Sequence, residues 1–86
     1  MHSLVEQEVE KIALVFLKKW LPTLAGTKPI DMDSEVYGLI IHEAVDMVAK
    51  ARDLGGEKGV LWMVRFLNHI PTQSSALRAA FVAITV

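Results

Sequence analysis

The sequence predicts an all-α protein: one domain over residues 1–86, a compact four-helix bundle with helices over roughly 3–21, 33–54, 57–70 and 73–86. Three observations predict it. Apolar residues recur at steps of three and four along most of the chain, the period of a helix with one buried face. The segments between these runs hold the Pro, Gly and Asp residues that stop and cap helices. The most apolar stretch, residues 60–68, would separate polarity poorly as a strand.

The first helix is set by Val5, Val9, Ile12, Phe16 and Trp20. At 100° per residue these five fall within about 80° of arc. Ala13, Leu17 and Leu24 widen the stripe, and Glu8, Lys11, Lys18 and Lys19 lie opposite it. Ser3-Leu4-Val5-Glu6 fits a capping box, in which hydroxyl and carboxylate satisfy each other's backbone amides. Acids at the start and lysines at the end suit the helix dipole. Leu14 and Leu21 fall beyond the edge of the stripe, so this helix is expected to be covered on more than one side. Pro22 is expected to end or kink it, with Gly26 as the stop.

Residues 27–33, TKPIDMD, read as a loop in which Asp31 or Asp33 caps the next helix. There Val36, Ile40, Met47, Ala51 and Leu54 share a face, with Tyr37, Ala44 and Val48 beside them. His42, Glu43, Asp46, Lys50 and Asp53 make the polar face, and Leu54-Gly55-Gly56 is a strong stop.

The most apolar stretch is Gly59 to Pro71, GVLWMVRFLNHIP. It is too short to span a bilayer, which takes about 20 apolar residues, and Arg65 sits in its middle. As a strand it would place three apolar residues and one polar residue on each face, so it would separate polarity poorly. As a helix it gathers Val60, Val64 and Leu67, with Met63, Ile70, Phe66 and Trp62 extending the face and Leu61, Arg65 and Asn68 opposite. The helical arc is wide, which predicts a central helix or one lying partly in an interface. Pro71 to Ser75 then form a turn rich in candidate caps. The last helix faces inward through Leu77, Ala80, Phe81 and Ile84, with Val82 and Val86 on the far side. Its pairs Ala76/Ala80 and Ala79/Ala83 are small residues four apart that permit close helix approach.

Composition narrows function more by exclusion than by signature. Hydrophobic residues make up 52% of the chain without counting glycine, above the roughly 45–50% of typical domains counted with glycine. An 86-residue domain has little interior for that excess, so part of it is expected on the surface, where large apolar patches mark interfaces. The net charge is −1, which gives no overall pull toward nucleic acid or an anionic membrane. It is spread as +1 over residues 1–28, −4 over 29–56 and +2 over 57–86. There is no cysteine, hence no disulfide framework and no thiolate metal site. The first residues lack a basic region followed by an apolar core, so a cytoplasmic protein is expected.

Motifs for chemistry are weak. His42-Glu43-Ala44-Val45-Asp46 resembles half of H-E-x-x-H, with Asp46 in place of the second histidine. His42 and Asp46 are then weak candidate metal ligands, with Glu43 as base and a third ligand required from His69 or His2. An ordinary i,i+4 pair on a solvated face explains the same residues. His69 fits a helix end, where it can meet terminal carbonyls. Gly55-Gly56-Glu57-Lys58-Gly59 lacks the spacing of a phosphate-binding loop. Ser34, Ser74 and Ser75 lie in no nucleophile elbow. As a DNA-reading helix, residues 57–70 would offer Lys58, Arg65, Asn68 and His69 on an otherwise apolar body, whereas a recognition helix shows polar and basic residues to the groove.

The expectation is therefore a small non-catalytic protein–protein interaction module: an oligomeric adaptor, a small subunit of a complex, or a protein inhibitor. Self-association or docking on a protein partner is expected, with no cofactor and no membrane span. Its candidate interface residues are Leu14, Trp20, Leu21, Trp62, Ala79, Val82, Ala83 and Val86. Trp20, at the end of the first helix beside Pro22, is the tryptophan expected to be exposed as an anchor. A nucleic-acid-binding regulator is the alternative, and a metal-dependent hydrolase using His42, Glu43 and Asp46 ranks below it.

Overall fold

The computed structural model describes residues 4–26, 30–31, 33–70 and 75–85. Among these residues there is no strand; they form three helices, α1 (Leu4–Leu24), α2 (Glu35–Asn68) and α3 (Ser75–Thr85), and the turns beside them. The all-α class matches the expectation; the count of four does not. The second and third expected helices are two arms of α2, joined at Gly55 and Gly56, the only residues inside α2 with non-helical backbone angles. Two residues leave no room for a connecting loop, so the glycine pair bends one element where it was expected to separate two. Gly56 sits at φ 58, ψ −134, a conformation open essentially to glycine alone.

Boundaries also differ from expectation. α1 continues through Pro22 to Leu24, and the Ala25 amide still donates to the Leu21 carbonyl at 2.9 Å. Proline removes one amide donor from the last turn, where Pro22 is exposed and no later turn depends on its ring. α2 is capped by Ser34, rather than by Asp31 or Asp33. The Ser34 hydroxyl accepts from the Tyr37 amide at 3.1 Å and donates to the Asp31 carbonyl at 2.7 Å. Asp31 instead shapes the approach, its carboxylate accepting from the Asp33 amide. At the other end, His69 takes the expected place: Nδ1 lies 2.6 Å from the Arg65 carbonyl. The expected capping box at Ser3 lies outside the described residues.

The core follows the helical stripes with one rotation. Val9, Ala13, Phe16, Trp20 and Leu24 of α1 are buried, as are Ile40, Ala44, Met47, Val48 and Ala51 of the first arm. Val36 and Leu54, expected on the inner face of that arm, are exposed. The buried arc is centred on Ala44 and Ala51, and the folded-back second arm comes close at Ala51. The second arm buries Gly59, Met63 and Leu67, and Ile70 follows just beyond the helix. An ideal Cβ on Gly59 would fall 1.8 Å from the Ala51 carbonyl oxygen, so the two arms touch backbone to backbone there. Gly55 similarly lies against Val5 at the start of α1.

α3 packs on α2. It reaches α1 through Phe81, whose ring meets Phe16 edge to face with centroids 6.3 Å apart. The Arg78 guanidinium donates to the Ile70 carbonyl at 3.0 Å, tying α3 to the chain that leaves α2.

Candidate interaction surface

Of the eight expected interface residues, Trp20 is overturned as an exposed anchor. It is 9% exposed and belongs to the core. Its indole Nε1 donates to the Glu43 carboxylate. Position at the end of a helix suggested exposure; a carboxylate 23 residues later supplies the polar partner that lets the indole lie inward. Leu14 (54% exposed), Leu21 and Val82 carry their side chains on the surface, and Ala79 and Ala83 are exposed on α3. Trp62 is half-buried, with the Arg65 guanidinium 4.6 Å from its ring centre. Val86 lies outside the described residues.

The exposed residues fall into two patches on separate helices. On α1, Leu14 and Leu21 flank the half-buried Leu17. Their steps of three and four make a second apolar ridge beside the buried one. On α3, Ala79, Val82 and Ala83 share the side away from the buried Phe81. Trp62 belongs to the second arm of α2, so the structure does not bring these residues into a single cluster of contacts.

A third surface had no signal in the sequence reading. An open groove of about 390 Å³ runs between α1 and the first arm of α2. Ile12, Val15, Phe16 and Met47 give it an apolar floor, and Lys19, Glu43, Asp46 and Lys50 stand at its edges. Lys19 Nζ lies 2.5 Å from Glu43 Oε1 and 5.0 Å from the Trp20 ring centre. Glu43 thus receives a cation and an indole N–H. The Lys19 and Trp20 hydrogen bonds hold its carboxyl below the ordinary glutamate range, against a smaller opposing effect of burial. A hydrophobic stripe identifies the groove floor only in retrospect, because Val15 lies outside the buried arc of α1.

The weak metal candidates His42 and Asp46 lie exposed on the first arm of α2. His42 Nε2 and Asp46 Oδ2 are 3.7 Å apart on an exposed face, an i,i+4 pair. Glu43, the would-be base, is committed to Lys19 and Trp20, and His69 to the end of α2. Among the described residues no three His, Asp or Glu side chains come together as a metal site. Four basic residues are engaged within the chain: Lys11 with Glu8, Lys19 with Glu43, Arg65 on Trp62 and Arg78 on the Ile70 carbonyl. Residues 57–68, the segment a DNA-reading helix would have to use, are the second arm of α2, which buries Gly59, Met63 and Leu67. Among the described residues, no helix is long and apolar enough to cross a membrane.

No family model matches the chain, and no curated protein or solved structure matches it.

Proposed function

We propose that this chain is a small non-catalytic protein–protein interaction module, acting as an adaptor, a small subunit or a protein inhibitor. The observation that carries the reading is the ridge of Leu14, Leu17 and Leu21 on α1. These are helical residues at the spacing of a helix–helix seam; Leu14 and Leu21 are exposed, and Leu17 between them is partly buried against the core. Single exposed leucines are ordinary on protein surfaces. Three in register on one helix offer a partner helix continuous apolar contact. The patch of Ala79, Val82 and Ala83 on α3 adds a flat face of small residues, where another helix can approach closely.

The test compares the chain with its Leu14→Asp/Leu21→Asp variant as bait in the source cell, alongside binding of a hydrophobic dye. A specific protein retained by the first and lost from the second, at unchanged helicity, supports the reading. A strictly monomeric chain that binds no dye and retains the same proteins on both baits ends it.

A further inference from the structure

Resting on the interaction reading above, we propose that a second copy of this chain docks on the α1/α2 groove, with the first arm of α2 antiparallel to its counterpart and Asp46 paired with Lys50 of the copy. The outer edge of that arm carries Leu39, Glu43, Asp46, Lys50 and Leu54 at steps of four, three, four and four, one continuous ridge on a helix. Its ends are exposed leucines and its middle holds opposite charges one turn apart. Such a ridge is complementary to itself. A two-fold axis crossing the arm midway between Asp46 and Lys50 sets each against the other in the copy, making two ion pairs. The same axis brings Leu39 within about one helical turn of the copy's Leu54, roughly 4.5 Å along the axis at 1.5 Å per residue.

Glu43 comes level with Asp53 of the copy, a like-charge approach that Lys19, 2.5 Å from the Glu43 carboxylate, offsets in part. Asp46 is 60% exposed, with His42 at 3.7 Å, so turning toward a new partner costs it little. Val15, 72% exposed where α1 lines the groove, is covered by the copy. The area is of the right order: two helices about 30 Å long and 10 Å wide present about 600 Å² of face, against roughly 800 Å² buried per partner in standard interfaces.

Charge exchange tests this directly. Absolute mass is measured by light scattering over a concentration series for the chain, for Asp46→Lys, for Lys50→Asp, for the double exchange, and for an equimolar mixture of the two single variants. The chain is expected to dimerise. Each single variant sets like charges against each other twice and weakens the dimer by about tenfold or more. The double exchange restores it, and so does the mixture, in which lysine-only and aspartate-only ridges meet. Both positions are on the surface, and matched thermal melts confirm folded protein; if one reversal unfolds the chain, Asp46→Asn with Lys50→Gln replaces it and is expected to give a smaller loss. A monomer at every concentration overturns the proposal, as does a dimer indifferent to these exchanges or one not rescued by mixing. A dimer that dissociates only with Leu14→Asp/Leu21→Asp overturns the groove as the dimer face while supporting the interaction reading.

Discussion

Trp20 and Glu43, 23 residues apart, are joined by a hydrogen bond from the indole Nε1 to the carboxylate. The bond closes the end of α1 over the first arm of α2, and Lys19 neutralises the same carboxylate. It lets a tryptophan fill the core without leaving its N–H unpaired. Among the described residues no buried side-chain polar atom lacks a partner.

The first prediction concerns pH. Glu43 has a folded-state pKa below the ordinary value of 4.5, chiefly through its hydrogen bonds to Lys19 and Trp20. A lowered carboxyl pKa stabilises the fold above the unfolded-state value, and the contribution is lost as pH falls through the folded one. Urea melts of the chain and of Glu43→Gln should differ most at neutral pH and converge as pH drops below about 4.5. Glu43→Ala, which leaves the indole N–H without its acceptor, should cost about 1–3 kcal/mol at neutral pH. A gap between the chain and Glu43→Gln that stays constant down to pH 3 would refute the assignment.

The second concerns three glycines. Gly59→Ala must push a methyl into the Ala51 carbonyl at 1.8 Å, backbone against backbone, and should destabilise by about 3 kcal/mol, at the top of the overpacking range. Gly56→Ala meets open space but keeps φ at 58, so only backbone strain opposes it, about 1–3 kcal/mol. Gly38→Ala, in the first arm of α2 with nothing within 4 Å, should stabilise by about 0.5–1 kcal/mol. Denaturant midpoints rank the three; Gly59→Ala at or above the stability of the unmodified chain would contradict the close approach of the arms.

These glycines show where the sequence could be read and where it could not. The α1 stripe was legible because every buried residue of that helix repeats at the helical period. Gly55-Gly56 was legible as an interruption, but two dihedral pairs decide whether an interruption becomes a loop or a bend, and residue type does not fix them. The inner face of the first arm was read from Val36 and Leu54, yet packing turned it toward the alanines, where helices approach most closely. The burial of Trp20 was illegible for a different reason: it depends on Glu43, which local periodicity assigns to a solvated face. The groove follows from that same long-range pair, since Lys19 and Glu43 stand at its edge. The ordinary i,i+4 reading of His42 and Asp46 corresponds to an exposed pair 3.7 Å apart.

The third prediction separates core from surface. Met63 and Ile40 are fully buried, and replacing either by Ala should cost about 2–5 kcal/mol. Leu14→Asp, Leu21→Asp and Leu61→Ser alter exposed positions and should change monomer stability by no more than about 0.5 kcal/mol. Thermal melts at low concentration measure this. A surface leucine whose replacement costs as much as Met63→Ala would mean that α1 or α2 buries a face the structure leaves open.

The last prediction concerns α3, which is 11 residues long, below the length at which isolated helices hold in water. It therefore depends on its contacts with the rest of the fold. Phe81 is buried, and its ring meets Phe16 of α1 edge to face. Arg78 adds one charge-assisted hydrogen bond to the Ile70 carbonyl. Phe81→Ala should cost about 3–5 kcal/mol if α3 unfolds only with the whole domain. If α3 can open by itself, global stability should fall less, and amide exchange should rise across residues 78–85 while residues 9–20 and 40–51 keep their protection. Hydrogen exchange on the variant separates these outcomes. Unchanged protection in α3 would show that Phe81 is not what holds it.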